Sequence, residues 1–147
     1  MTRALPTFAF LLIAACNKPE DQPPVTSNGA VAEAAAPAVV PSLEGEWRVT
    51  KIDGRDAAGA GMSAAFGSGK ASIATGCLRR AWTYTQKRNT VAFSANPAGS
   101  SNCGQAPSGN EETAYAALGE ANIAIFARQG AEASLSGTGG TLTLERR

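Results

Sequence analysis

Beyond residue 43 the apolar positions recur with a period of two, the alternation of half-buried β-strands. Trp47, Val49 and Lys51 alternate with Arg48, Thr50 and Ile52, with Trp47 as the core anchor, and Asp53-Gly54 closes this first strand as a turn. Met62 to Phe66 predicts a short strand, Gly67-Ser68-Gly69 a loop, and Lys70 to Ala74 a further strand centred on Ile73. Trp82 to Gln86 and Thr90 to Ser94 read as a hairpin turning at Lys87-Arg88-Asn89, with Trp82 and Tyr84 on one face opposite Val91 and Phe93. Pro, Gly, Ser and Asn make Ala95 to Gly109 an irregular loop. One helix is predicted from about Glu111 to Leu118, with Asn110 as N-cap, two acids at the positive end of the dipole and Gly119 as the stop. Ile123 to Arg128, Glu132 to Leu135 and Thr141 to Glu145 complete the set, joined by turns at Gln129-Gly130 and Gly137 to Gly140. The fold class is therefore mainly β with one short helix, an α+β domain built on a small antiparallel sheet or barrel.

The first 42 residues follow other rules. Arg3 precedes a mostly apolar run from Ala4 to Ile13, far short of the roughly 20 residues that span a bilayer, so it reads as a signal segment. The run ends in Leu12-Ile13-Ala14-Ala15-Cys16, which resembles the bacterial lipoprotein signal: an aliphatic residue, two small ones and a cysteine. That resemblance implies cleavage between Ala15 and Cys16 and acylation of Cys16 with diacylglycerol and an amide-linked chain. Two lipid signals suffice for stable anchoring. Asn17 follows where enterobacterial lipoproteins kept at the inner membrane carry Asp, which leans the expected location toward the outer membrane. Residues 16–42, rich in Pro, Ala and Val with few large side chains, read as a disordered tether with a reach of about 30 Å. The expected organisation is thus signal peptide 1–15, lipidated tether 16–42 and β domain 43–147.

Composition narrows the chemistry. The chain of 147 residues carries a net charge of +1, without the basic excess of a nucleic-acid binder. It has no histidine, which excludes Ser-His-Asp and Cys-His catalysis and removes the commonest metal ligand. Once Cys16 is lipidated, Cys77 and Cys103 remain, and an even pair in an exported protein is more often a disulfide than a redox or metal site. Two buried free thiols are the alternative. No cofactor or metal site is expected.

Lys70, Arg79, Arg80, Lys87 and Arg88 form a basic run without an intervening acid, interleaved with Trp82 and Tyr84. Arg79, Arg80, Lys87 and Arg88 are candidates for a patch that meets lipid headgroups, phosphates or an acidic protein. A solvated strand face and turn explains the same residues more simply. Gly69-Lys70 lacks the glycine and hydroxyl spacing of a phosphate loop, Ala64 and Ala71 standing in those places. Glu111 and Glu112 are adjacent on a helix and point apart, so they serve the helix rather than acid-base chemistry.

The order of pieces resembles the META domain family of bacterial envelope proteins. The matching residues are Leu43-Glu44-Gly45-Glu46-Trp47 with Ile52-Asp53-Gly54, then Thr75-Gly76-Cys77. Cys103, Glu112 with Tyr115 and Leu118, and Leu142-Thr143-Leu144 complete them. Where the family usually reads Gly-Cys-Asn, this chain has Leu78 after the cysteine, which suggests a structural position. The resemblance implies a small, mainly antiparallel β-fold with one helix, of a kind found in envelope proteins tied to stress tolerance, motility or secretion, and no catalytic residues. The expected function is a non-catalytic binding or structural module on a membrane lipid anchor, with an envelope partner not identified by the sequence. The alternative is a periplasmic inhibitor of a hydrolase such as lysozyme.

Overall fold

Period-two alternation, carried through successive antiparallel strands, rolls the chain into a closed cylinder. The computed structural model describes residues 41–147. The predicted signal segment, Cys16 and nearly all of the tether lie outside the described residues. The strands are β1 Gly45–Ile52, β2 Arg55–Asp56, β3 Ser63–Gly67, β4 Lys70–Thr75, β5 Leu78–Lys87, β6 Thr90–Ala95, β7 Ala121–Ala127, β8 Glu132–Gly137 and β9 Gly140–Arg146. The helix α1, Gly109–Gly119, separates β6 from β7. Each strand pairs antiparallel with a neighbour in the order β2-β1-β3-β4-β5-β6-β7-β8-β9, and β9 returns to β1 through pairs such as Trp47 with Arg146 and Val49 with Leu144. Eight strands therefore form a closed antiparallel barrel, with β2 as a short flap outside it. The seam between β6 and β7 is held by a single register pair, Thr90 with Ile123.

An eight-stranded barrel has an interior just wide enough for side chains to fill. Trp47, Val49, Ile73, Leu135, Leu142 and Leu144 are fully buried there, and the Phe66, Tyr84 and Phe93 rings meet at centroid distances of 5.5 to 6.4 Å. The barrel thus holds a packed core. Its two ends are closed differently. At the upper end α1 buries Ala114, Tyr115, Ala117 and Leu118. At the lower end Leu43, fully buried, plugs the opening ahead of β1. Its carbonyl accepts from Trp47 Nε1 at 2.6 Å and its N–H donates to Gln86 Oε1 at 2.9 Å. Arg146 fastens the same segment: its guanidinium lies 4.2 Å from the Trp47 ring centroid and donates to the Ser42, Glu44 and Gly130 carbonyls. Residues 41 and 42, read from sequence as tether, are therefore already bound into the domain, Pro41 through its carbonyl to Gln86.

Three sequence expectations shift. In β1 a register irregularity between Val49 and Lys51 inserts an extra residue, so Ile52 follows Trp47 and Val49 into the core while Lys51 turns outward. The helix starts two residues early, because Ser108 rather than Asn110 caps it. Ser108 Oγ accepts from the Glu111 N–H and Glu111 Oε2 accepts from the Ser108 N–H, a complete capping box. Gly119 is the last helical residue rather than a left-handed stop. A side chain there would come within 2.9 Å of Trp82 Nε1, so close packing requires the glycine. The hairpin also grows: β5 begins at Leu78, four residues before the predicted start. Leu78 is buried, in keeping with the structural position expected of it.

Candidate functional site

The longest strand brings the basic residues to the surface, and its geometry separates them. Along β5, Arg80 shares its side of the strand with Trp82 and Tyr84, while Arg79 falls on the opposite side with Ala81 and Thr83. Trp82 and Tyr84 are buried in the core, so the aromatic interleaving noted in the sequence does not reach the surface. Lys87 and Arg88 end β5 and enter its turn at the lower end, eight strand steps or about 26 Å from Arg79 and Arg80. The four candidate patch residues therefore form two pairs at opposite ends of the barrel. Lys70, at the start of β4, belongs to the lower end, opposite Gly67 and Thr83.

The upper pair sits where the barrel wall opens. Regular pairing between β5 and β6 ends at Trp82 with Ala95, the Asn96 N–H donates to the Ala81 carbonyl at 2.8 Å, and the chain then swings out through a short 3-10 turn at Pro97–Gly99. It returns to pair Ser101 with Arg79 through two backbone hydrogen bonds of 2.8 Å. The Ala81 N–H donates to Ser100 Oγ at 3.0 Å, and Ser101 Oγ donates to the Cys77 carbonyl at 3.1 Å. Beyond them Cys77 and Cys103 form a disulfide with Cα atoms 6.1 Å apart. A loop of glycine, serine and asparagine, which has little apolar surface to hold it down, is thus fastened along the strand at several points.

Between this loop, the top of β5 and the side of α1 lies a cleft of about 370 Å³. Arg79, Arg80, Asn96, Asn102 and Tyr115 supply its polar lining, with Leu78, Pro97 and Pro107 as apolar wall. The Arg80 guanidinium stands over the Tyr115 ring, 5.9 Å from its centroid, so the ring face holds the cation in place. Burial, and secondarily the charge of Glu111, raise the Tyr115 phenol above its ordinary value, with Arg80 opposing. Tyr115 therefore stays protonated and able to donate at neutral pH. The ion pairs among the described residues join Arg48 to Glu145 and Arg128 to Glu132; Arg79 and Arg80 belong to neither.

Glu111 is committed to the helix cap, while Glu112 is exposed on the flank of α1. They make no carboxylate pair. Sequence reasoning missed Asn96, Asn102 and Tyr115 as members of one site, because the returning loop and α1 bring them to the top of β5 from two other segments of the chain. It also missed Arg146 as the lower clamp, although extending the Leu142, Leu144 alternation by two residues places Arg146 on the inner face. Ile123 and Ile125, 47% and 56% exposed on the outside of β7, are large apolar residues left in solvent. No family model matches the chain, and comparison with curated proteins and with solved structures finds no match.

Proposed function

We propose that the chain is an envelope lipoprotein, held at a bacterial membrane through acylated Cys16, whose META-type β domain binds a ligand or partner without catalysing a reaction. The outer membrane is the preferred location, on the residue after Cys16. The lipoprotein-like sequence at Leu12 to Cys16 supports the anchor. The closed antiparallel barrel with one helix agrees with the architecture that the META resemblance implies. One observation carries the binding reading: the barrel interior is packed, and the cleft holding Arg79 and Arg80 opens at the upper end, whereas residues 41–44 lie at the lower end. The described N-terminal residues thus enter the domain at the end away from the cleft. Arg79 and Arg80 would meet like charge on a basic hydrolase such as lysozyme, which favours the binding module over the inhibitor.

Intact mass spectrometry of the protein extracted from membranes tests this reading. A triacylated chain beginning at Cys16, with Cys77 and Cys103 alkylated only after reduction, is the expected result. An unlipidated chain overturns the anchor.

A further inference from the structure

The two tryptophans differ in what their indole N–H groups meet. Trp47 Nε1 donates to the Leu43 carbonyl at 2.6 Å, whereas Trp82 Nε1 has no hydrogen-bond partner among the described residues. Trp82 is 4% exposed, and an indole so buried usually finds a partner for its N–H. Among the described residues Thr75 Oγ1 is the one buried side-chain polar atom left without a partner, so the Trp82 N–H is not shut inside the core. It opens where α1 ends against β5: a Cβ on Gly119 would stand 2.9 Å from Nε1, and the missing side chain leaves the donor uncovered.

A groove of about 490 Å³ runs here along the flank of α1, lined by Arg80, Trp82, Pro107, Tyr115, Ala116 and Gly119. It continues the upper cleft, with which it shares Arg80, Pro107 and Tyr115. Its volume lies within the 300 to 1,000 Å³ typical of small-molecule sites. Arg80, unlike Arg79, is on the same side of β5 as Trp82 and two residues from it. Tyr115 meets both: its ring centroid is 5.9 Å from the Arg80 guanidinium and 6.1 Å from the Trp82 ring. Arg80 makes no ion pair among the described residues. Glu112 and Glu120 stand exposed on the rim, and Glu120 Oε2 already accepts from Thr138 Oγ1 at 2.8 Å. Their charge opposes a doubly charged anion more than a singly charged one. A single guanidinium fork matches one carboxylate, through paired, charge-assisted hydrogen bonds.

We propose that this groove binds a small carboxylic acid with an apolar body: Arg80 holds the carboxylate, the Trp82 N–H donates to the ligand, and the body rests on Tyr115, Pro107 and Ala116. Tyr115 is a positioning residue, since its ring face holds the Arg80 cation. The proposal rests on the reading of the domain as a binding module and is independent of the anchor.

The test uses the full chain with Cys16→Ser, so that no lipid takes up an apolar probe. Its nuclear magnetic resonance spectrum is followed during titration with phenylacetate and with phenylacetamide, which keeps the ring and removes the charge. The chain has two tryptophans, so two indole N–H resonances report: Trp82 on the groove, and Trp47, tied to Leu43, as an internal control. Arg80→Gln is compared with Arg79→Gln, which removes the same charge from the opposite side of the same strand; both side chains are exposed, so neither change disturbs the core. The expected result is a saturable shift of the Trp82 indole resonance with phenylacetate and a still Trp47 resonance. Affinity should fall about tenfold or more for phenylacetamide and for Arg80→Gln, and change about twofold or less for Arg79→Gln. Saturable binding that survives Arg80→Gln and leaves the Trp82 resonance in place would overturn this site while keeping the domain a binding module. Equal losses from the two variants, equal affinity for the acid and its amide, or no binding of phenylacetate would overturn the proposal and leave the mass measurement of the anchor untouched.

Discussion

Removing the disulfide should destabilise the domain by acting almost entirely on the unfolded chain. Cys77 and Cys103 are 26 residues apart, and closing a loop of that length removes denatured-state entropy worth about 3.5 kcal/mol in the chain-entropy model. For a domain of roughly 100 residues this corresponds to a fall in melting temperature of about 14 °C, at about 4 °C per kcal/mol. In the folded state the loop keeps its other fastenings: the paired Arg79 and Ser101 backbones, the Asn96 N–H on the Ala81 carbonyl, and the Ser101 hydroxyl on the Cys77 carbonyl. The native fold of Cys77→Ser/Cys103→Ser should therefore persist at 25 °C, with the buried Trp47 and Trp82 giving an unchanged near-ultraviolet dichroism. Urea unfolding should show a lower midpoint and a steeper slope, since an uncrosslinked denatured chain exposes more surface. Equal melting temperatures for wild type and the double variant would refute the reasoning. A native spectrum already altered at 25 °C would show instead that the covalent bond, and not the hydrogen bonds, shapes the folded loop.

Leu43→Ala empties the lower end of the barrel, and at a fully buried site this should cost about 2 to 5 kcal/mol, read by chemical denaturation. Gly139→Ala places a Cβ against the Ala116 carbonyl at the point where the β8–β9 turn meets α1; backbone cannot swing aside as a side chain can, so a loss of about 1 to 3 kcal/mol and a lower melting temperature are expected. Glu111 is held below its ordinary value of 4.5, chiefly by the Ser108 N–H and then by the Ser108 side chain. A depressed carboxylate contributes stability that is fully present above the unfolded value and is lost as pH falls through the folded one. Wild type should therefore melt above Glu111→Gln at pH 7, and the gap should close in acid below the folded-state value; a gap that does not change with pH would contradict the cap.

Local pattern alone specified the elements. Alternation marked the strands around Trp47, Ile73, Val91, Leu135 and Leu142, and the turns at Asp53-Gly54 and Lys87 to Asn89 stood where φ becomes positive, at Asp53, Gly54 and Arg88. These features were legible because they depend on neighbours two or four residues away. The site was less so. Which end of β5 a basic residue occupies follows from strand length, and β5 extends to Leu78 because β4 and the returning loop supply partners that no local pattern reveals. Arg79, Arg80, Lys87 and Arg88 are one run in the sequence, but a strand rises about 3.3 Å per residue, and that distance divides them. The inward turn of Ile52 needed a bulge, visible only against β9. Ser108 displaced Asn110 as the cap because Glu111 could answer it from the third helical position. Closure of β9 on β1, the plug at Leu43 and the meeting of Tyr115 with Arg80 are all contacts between segments distant in the chain. The period-two code determined which side chains a strand would hide; only the closed barrel decided which of the remaining ones would stand together.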